Sequence, residues 1–144
     1  MTSWARDDLR RLLEDDIPFN RHLGVRVLEA GPERARLALP FRPEFVGDPE
    51  RPALHGGVIS MLIDTAGGLA ALAAIARSDR LATVDLVVDY LQPAPPADLV
   101  ATARVVRRGN RVCLVTVEVT RADGEGGLIA QGRGVYNISP AKRG

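Results

Sequence analysis

The sequence predicts an α+β domain in which an antiparallel six-stranded sheet packs around one long helix, with an additional helix at the N-terminus. Three observations predict it. The chain has 144 residues, the size of one domain with a real core. The stretch from Val58 to Ala76 is long, apolar and carries a single charge, Asp64. Two strand-like runs precede that stretch and four follow it, with no helical crossover among the four, so antiparallel neighbours in a meander are the economical arrangement. The domain boundaries that follow are 1–18 for the N-terminal helix, 19–138 for the main domain and 139–144 for a tail.

The elements are justified in chain order. Thr2 or Ser3 can cap the first helix, acids lie in its first turns, Trp4, Leu9, Leu12 and Leu13 form an apolar stripe, and Pro18 ends it. His22 to Ala30 and Glu33 to Pro40 read as a hairpin about Gly31-Pro32, with Leu23, Val25 and Val27 on one face and Ala35, Leu37 and Leu39 on theirs. Arg42 to Pro52 holds three prolines and several charges and is a loop. The long helix runs from about Gly56 to Ala76. Gly67 and Gly68 each cost about 1 kcal/mol against alanine inside a helix, and close backbone approach explains their presence. The four later strands are Thr83 to Leu91, Asp98 to Arg108, Arg111 to Arg121 and Gly127 to Ile138. In the third, Cys113, Val115, Val117 and Val119 alternate with polar or exposed positions. Strict alternation in the first of them puts Thr83, Asp85 and Asp89 on one face, opposite Val84, Leu86, Val88 and Tyr90.

Composition excludes several classes of function. Nineteen basic against eighteen acidic residues give a net charge of +1, no field for holding nucleic acid or an anionic membrane surface. Eighteen of the nineteen basic residues are arginines and Lys142 is the only lysine, a skew from which no function is read. Cys113 is the only cysteine and His22 and His55 the only histidines, so neither a disulfide framework nor a metal site is expected. The acid-rich segment Met1 to Asn20 has no signal-peptide core, and the cytoplasm is the default location. As a membrane span, Val58 to Ala76 would carry Asp64 near the bilayer centre at a cost of about 2.5 to 3.5 kcal/mol. A buried helix in a soluble domain explains the pattern at less cost.

The segment Leu54-His55-Gly56-Gly57, followed by Asp64 on the helix and by Gly67-Gly68, resembles the signature of hot-dog-fold acyl-CoA thioesterases of the phenylacetate-pathway (PaaI) type. The resemblance spans about Phe19 to Ile138 and is densest from His55 to Gly68 and from Thr83 to Pro93. It implies a hot-dog fold, a thioester hydrolase acting on an acyl-CoA, CoA as part of the substrate rather than a cofactor, and a homodimer or a dimer of dimers. It also implies that Asp64 is the general base toward water or a nucleophile forming a mixed anhydride, and that Thr83 is the hydroxyl found near the acid in related enzymes. The chain departs from the family in one respect. Relatives often carry Asn or Gln shortly before the histidine, whereas Gly47 to Pro52 offers only Asp48 and Glu50, and an ionised carboxylate cannot donate a hydrogen bond.

The residues support this chemistry independently. Gly56 and Gly57 open a helix, so their N–H groups lack intrahelical acceptors and, with the helix dipole, can polarise a carbonyl. His55 is a second donor or fixes the loop. Asp64 lies eight residues beyond Gly56, a rise of about 12 Å, so one thioester carbon reaches both only if two subunits place their helices antiparallel. Arg104, Arg107, Arg108 and Arg111 cluster about the Gly109-Asn110 turn and suit the phosphates of coenzyme A, with Arg133 a weaker candidate. The competing classes are a hydratase or dehydratase on the same fold and a non-catalytic acyl-CoA-binding protein.

Overall fold

The computed structural model describes residues 2–32 and 34–142. Its N-terminal arm is two helices rather than one. α1 (Arg6–Arg11) starts at Ala5 with no side-chain cap, so neither Thr2 nor Ser3 plays that part; Ser3 instead bridges to Ala76. A π-turn over Leu12–Asp16 follows, closed by the Ile17 N–H on the Leu12 carbonyl at 3.1 Å. Pro18 then begins α2 (Pro18–Leu23) instead of ending a helix, because proline at the first helical position gives up an N–H that has no partner there. Gly24, at φ 79°, closes α2 in the left-handed conformation. α2 therefore takes His22 and Leu23 from the expected strand, and β1 is Arg26–Ala30. Its partner β2 is Arg34–Leu39; the expected start at Glu33 lies outside the described residues.

The loop before the long helix contains a 3-10 turn at Pro43–Phe45 and a small ribbon, β3 (Val46–Asp48) with β4 (Ala53–Leu54). The long helix is α3 (Gly56–Ala73), three residues shorter than expected. β5 (Arg80–Tyr90), β6 (Leu99–Arg108), β7 (Val112–Arg121) and β8 (Ala130–Ser139) complete the chain. The six-stranded sheet is antiparallel in the order β1-β2-β6-β7-β8-β5, as expected in strand number but not in connection. β5 pairs with β8 and not with β6. The segment between β5 and β6 carries Pro93, Pro95 and Pro96, which cannot make a two-residue hairpin turn, and crosses the end of the sheet. On the way the Ala94 carbonyl accepts the Leu54 N–H at 2.9 Å and the Ile129 carbonyl accepts the Leu91 N–H at 2.9 Å.

The sheet wraps α3, and the core lies between them. Ile59, Leu62, Ile63, Ala66, Leu69 and Ala70 of the helix are buried against Leu37, Leu99, Ala101, Val115, Val117 and Ile138. Removing a fully buried leucine side chain such as that of Leu62 costs about 2 to 5 kcal/mol. By length and composition α3 could cross a membrane, yet these buried faces are already covered by strands. The two small residues in the helix differ in cause. A Cβ at Gly67 would stand 2.3 Å from the Tyr136 hydroxyl, so close approach accounts for it; one at Gly68 would meet Tyr136 at an ordinary 3.8 Å.

Candidate active site

The site begins with an irregularity in β5. Thr83 faces Tyr136 of β8 and Asp85 faces Val135, so Val84 is an extra residue, a bulge. The bulge reverses the alternation expected of this strand. Thr83 shares the helix-facing side with Leu86, Val88 and Tyr90, while Asp85 and Asp89 turn to the outer face. In consequence the Thr83 hydroxyl reaches Asp64 on α3 and donates to its Oδ1 at 2.8 Å. Against a carboxylate the hydroxyl must be the donor, which leaves its own lone pairs for a water proton.

Tyr136 is the residue that sequence reasoning missed. It is 1% exposed, and its hydroxyl lies 2.9 Å from the Asp64 carbonyl and 3.4 Å from Asp64 Oδ1. Burial, and then the adjacent Asp64 charge, push the phenol well above the usual tyrosine range, so it remains a donor. The available signal was a tyrosine on the buried face of its strand, whose hydroxyl had to find a partner in the core. No described residue donates to Asp64 Oδ2. Thr83, Tyr136, Cys113 and Arg108 lie side by side in one row across β5, β8, β7 and β6. Burial pushes the Cys113 thiol up, with Arg108 opposing, so this cysteine stays a neutral core group.

The start of α3 is more occupied than its sequence suggests. His55 is the N-cap, and its Nδ1 accepts the Gly57 N–H at 2.8 Å, so the expectation that both glycine amides stand free holds only for Gly56. An Nδ1 that accepts leaves the proton of the neutral ring on Nε2, where it can donate. Gly47 packs on His55, since a Cβ there would be 2.7 Å from the His55 Cα, a close approach the sequence did not disclose. Tyr90 lies over Gly56, donating to its carbonyl at 3.0 Å. Asp48 is used locally, its Oδ1 accepting the Glu50 and Arg51 amides at 3.1 and 3.2 Å. An open cleft of about 310 Å³ lies beside Gly56, lined by Leu54, Ile59, Leu91 and Ile129 and also by Tyr90 and Gln92.

The arginines divide. Arg107 and Arg111 border a hollow of about 300 Å³ at the β6–β7 turn. Arg108 sits opposite Cys113. Arg104 and Arg133 turn away to a groove of about 650 Å³ on the outer sheet face, among Arg34, Asp89 and Glu118. Among the described residues no three His, Cys, Asp or Glu side chains converge.

A six-stranded antiparallel sheet wrapped on one long helix is the architecture of the hot-dog thioester hydrolases. Residues 52–128 match the model of the thioesterase superfamily. A Halobacterium salinarum relative whose name calls it a candidate esterase is 37% identical over 96% of this chain and 97% of its own length. The medium/long-chain acyl-CoA thioesterase YigI of Escherichia coli is 35% identical over 72% of this chain and 75% of its own. The crystal structure of a thioesterase family protein from Silicibacter pomeroyi, 25% identical, superposes with a TM-score of 0.85 over 95% of this chain and 100% of that one. The chain belongs to the thioesterase superfamily and is a thioester hydrolase.

Proposed function

We propose that the protein is a PaaI-type enzyme that hydrolyses a medium- or long-chain acyl-CoA to the free acid and CoA, using Asp64 as its acid at an interface between two copies. The observation that carries this reading is the Asp64 carboxylate, with Oδ1 held by Thr83 and Oδ2 left without a described donor. In the general-base route Oδ2 takes a proton from water as the water oxygen bonds to the thioester carbon. The C–S bond then breaks and the CoA sulfur receives that proton. In the nucleophilic route Oδ2 itself bonds to the carbon, the C–S bond breaks and CoA leaves as a thiolate; water then cleaves the anhydride, releasing the acid, restoring the Asp64 carboxylate and giving its remaining proton to the thiolate.

The carbonyl oxygen is gripped by the Gly56 amide of a second copy, aided by the His55 Nε2–H, while the Gly57 amide enters only by giving up its cap on His55. Gly56 and Asp64 of one chain are about 12 Å apart along the helix, which is why two copies are needed. Leu54, Ile59, Leu91 and Ile129 in the cleft beside Gly56 offer an alkyl chain an apolar wall, in keeping with the substrate named for the Escherichia coli relative. Arg107, Arg108 and Arg111 are assigned to the CoA phosphates.

Thiol release from a panel of aromatic and aliphatic acyl-CoAs tests the proposal. The wild type turns over the longer aliphatic thioesters, and Asp64→Ala lowers kcat at least about 100-fold. Undiminished turnover by the variant removes Asp64 from the mechanism, and no turnover of any thioester by the wild type favours a binding protein.

A further inference from the structure

We infer that Tyr136 is a positioning residue for the reaction, its hydroxyl locking the Asp64 carboxylate against the helix backbone so that Oδ2 is the oxygen presented to the substrate. The inference rests on the reading of Asp64 as the reacting acid. The hydroxyl stands between two acceptors of the same residue, the main-chain carbonyl at 2.9 Å and Oδ1 at 3.4 Å. One group that reaches both restrains the rotation of the side chain about its own backbone, while Thr83 holds the same Oδ1 from the sheet side at 2.8 Å. The place is built for this ring. A Cβ at Gly67 would lie 2.3 Å from the hydroxyl and one at Gly134 2.5 Å from the ring edge, so both neighbouring glycines leave the space it fills. A phenylalanine would fill the same space without the hydroxyl.

Besides Thr83, the surroundings leave Tyr136 as the polar influence on Asp64 that can be varied. α3 has no other ionisable side chain. β5 contributes Thr83 and, at the start of the helix, Tyr90, whose hydroxyl is taken up by the Gly56 carbonyl, whereas Asp85 and Asp89 face outward. β7 contributes Cys113, kept neutral by burial, and β6 contributes Arg108 at the far end of the row. The core positions of β1 and β2 are Val27, Ala35, Leu37 and Leu39.

Tyr136→Phe is expected to lower kcat roughly tenfold with KM unchanged, and to move the acid limb of the kcat profile upward by about half a pH unit, because the ionised carboxylate loses a donor. A side chain that only fills the core would leave the limb where it is. Replacing Tyr136 by 3-fluorotyrosine, which keeps ring and hydroxyl and makes the O–H a stronger donor, moves the limb downward; this variant decides the matter if Tyr136→Phe does not fold. An unmoved acid limb in the folded variant overturns the inference. Asp64→Asn is measured alongside: if it turns over normally, the reading of Asp64 fails, and if it is inactive while the Tyr136 variants match wild type, only the role of Tyr136 fails.

Discussion

Edge strand β1 is five residues long, interrupted by a bulge between Val27 and Glu29, and covered by its own chain: Glu14 of the N-terminal arm accepts the Val27 N–H at 2.8 Å and pairs with Arg26 at 3.5 Å. Edge strand β5 is eleven residues long, with Val84 66% and Tyr90 56% exposed and no described element along its outer side. An exposed strand edge is a template for pairing, and proteins cover the ones they do not use. Here the covered edge lies five strands from the candidate site, while the open one supplies Thr83 to Asp64 and Tyr90 to Gly56. The contrast teaches that the open border of the sheet is also the one whose side chains bond to Asp64 and Gly56.

Three changes break or sharpen that contrast. The largest effect is expected from Val84→Asp, which puts a charge on the exposed edge of β5, the border through which the proposed pairing of two copies would run. Sedimentation should show a monomer, and thioester turnover should fall at least about 100-fold, since the proposed site takes its Gly56 amide from a second copy. An active monomer would detach the open edge from catalysis. Thr83→Val keeps the shape and removes the donor; kcat should drop at least about tenfold, the lower worth of a hydrogen bond to a charged group, with the oligomeric state unchanged. Equal turnover would leave Thr83 a strand-former only. The smallest effect is expected at the covered edge. Glu14→Ala strands the Val27 N–H and should cost about 1 to 2 kcal/mol, read as a Tm a few degrees lower, with kcat and oligomeric state unchanged. A loss of activity there would erase the distinction between the edges.

Much of this was legible in the chain. Asp64 stood out as the one charge in an apolar helix, and the alternation of Cys113, Val115, Val117 and Val119 gave β7 its buried face. The rest depends on contacts distant in sequence. Thr83 lies on the opposite face from Asp85 and Asp89, against strict alternation, because alternation counts residues and cannot register Val84, which has no partner in β8. Tyr136 is 72 residues from the carboxylate it touches. The cap at Gly57 turns on which way the imidazole of His55 rotates, and the pairing of β5 with β8 on where a proline-rich crossing lands.

Val84 also fixes how the strand tolerates changes of length. Deleting Val87 turns over one side of β5, sending Val88 to water or Thr83 away from the helix. Deleting Val84 itself leaves Thr83 opposite Tyr136 and Asp85 opposite Val135, now as adjacent rungs of a regular ladder. The chain thus keeps one spare residue beside Thr83, a point where shortening the strand preserves the facing of the side chains that follow.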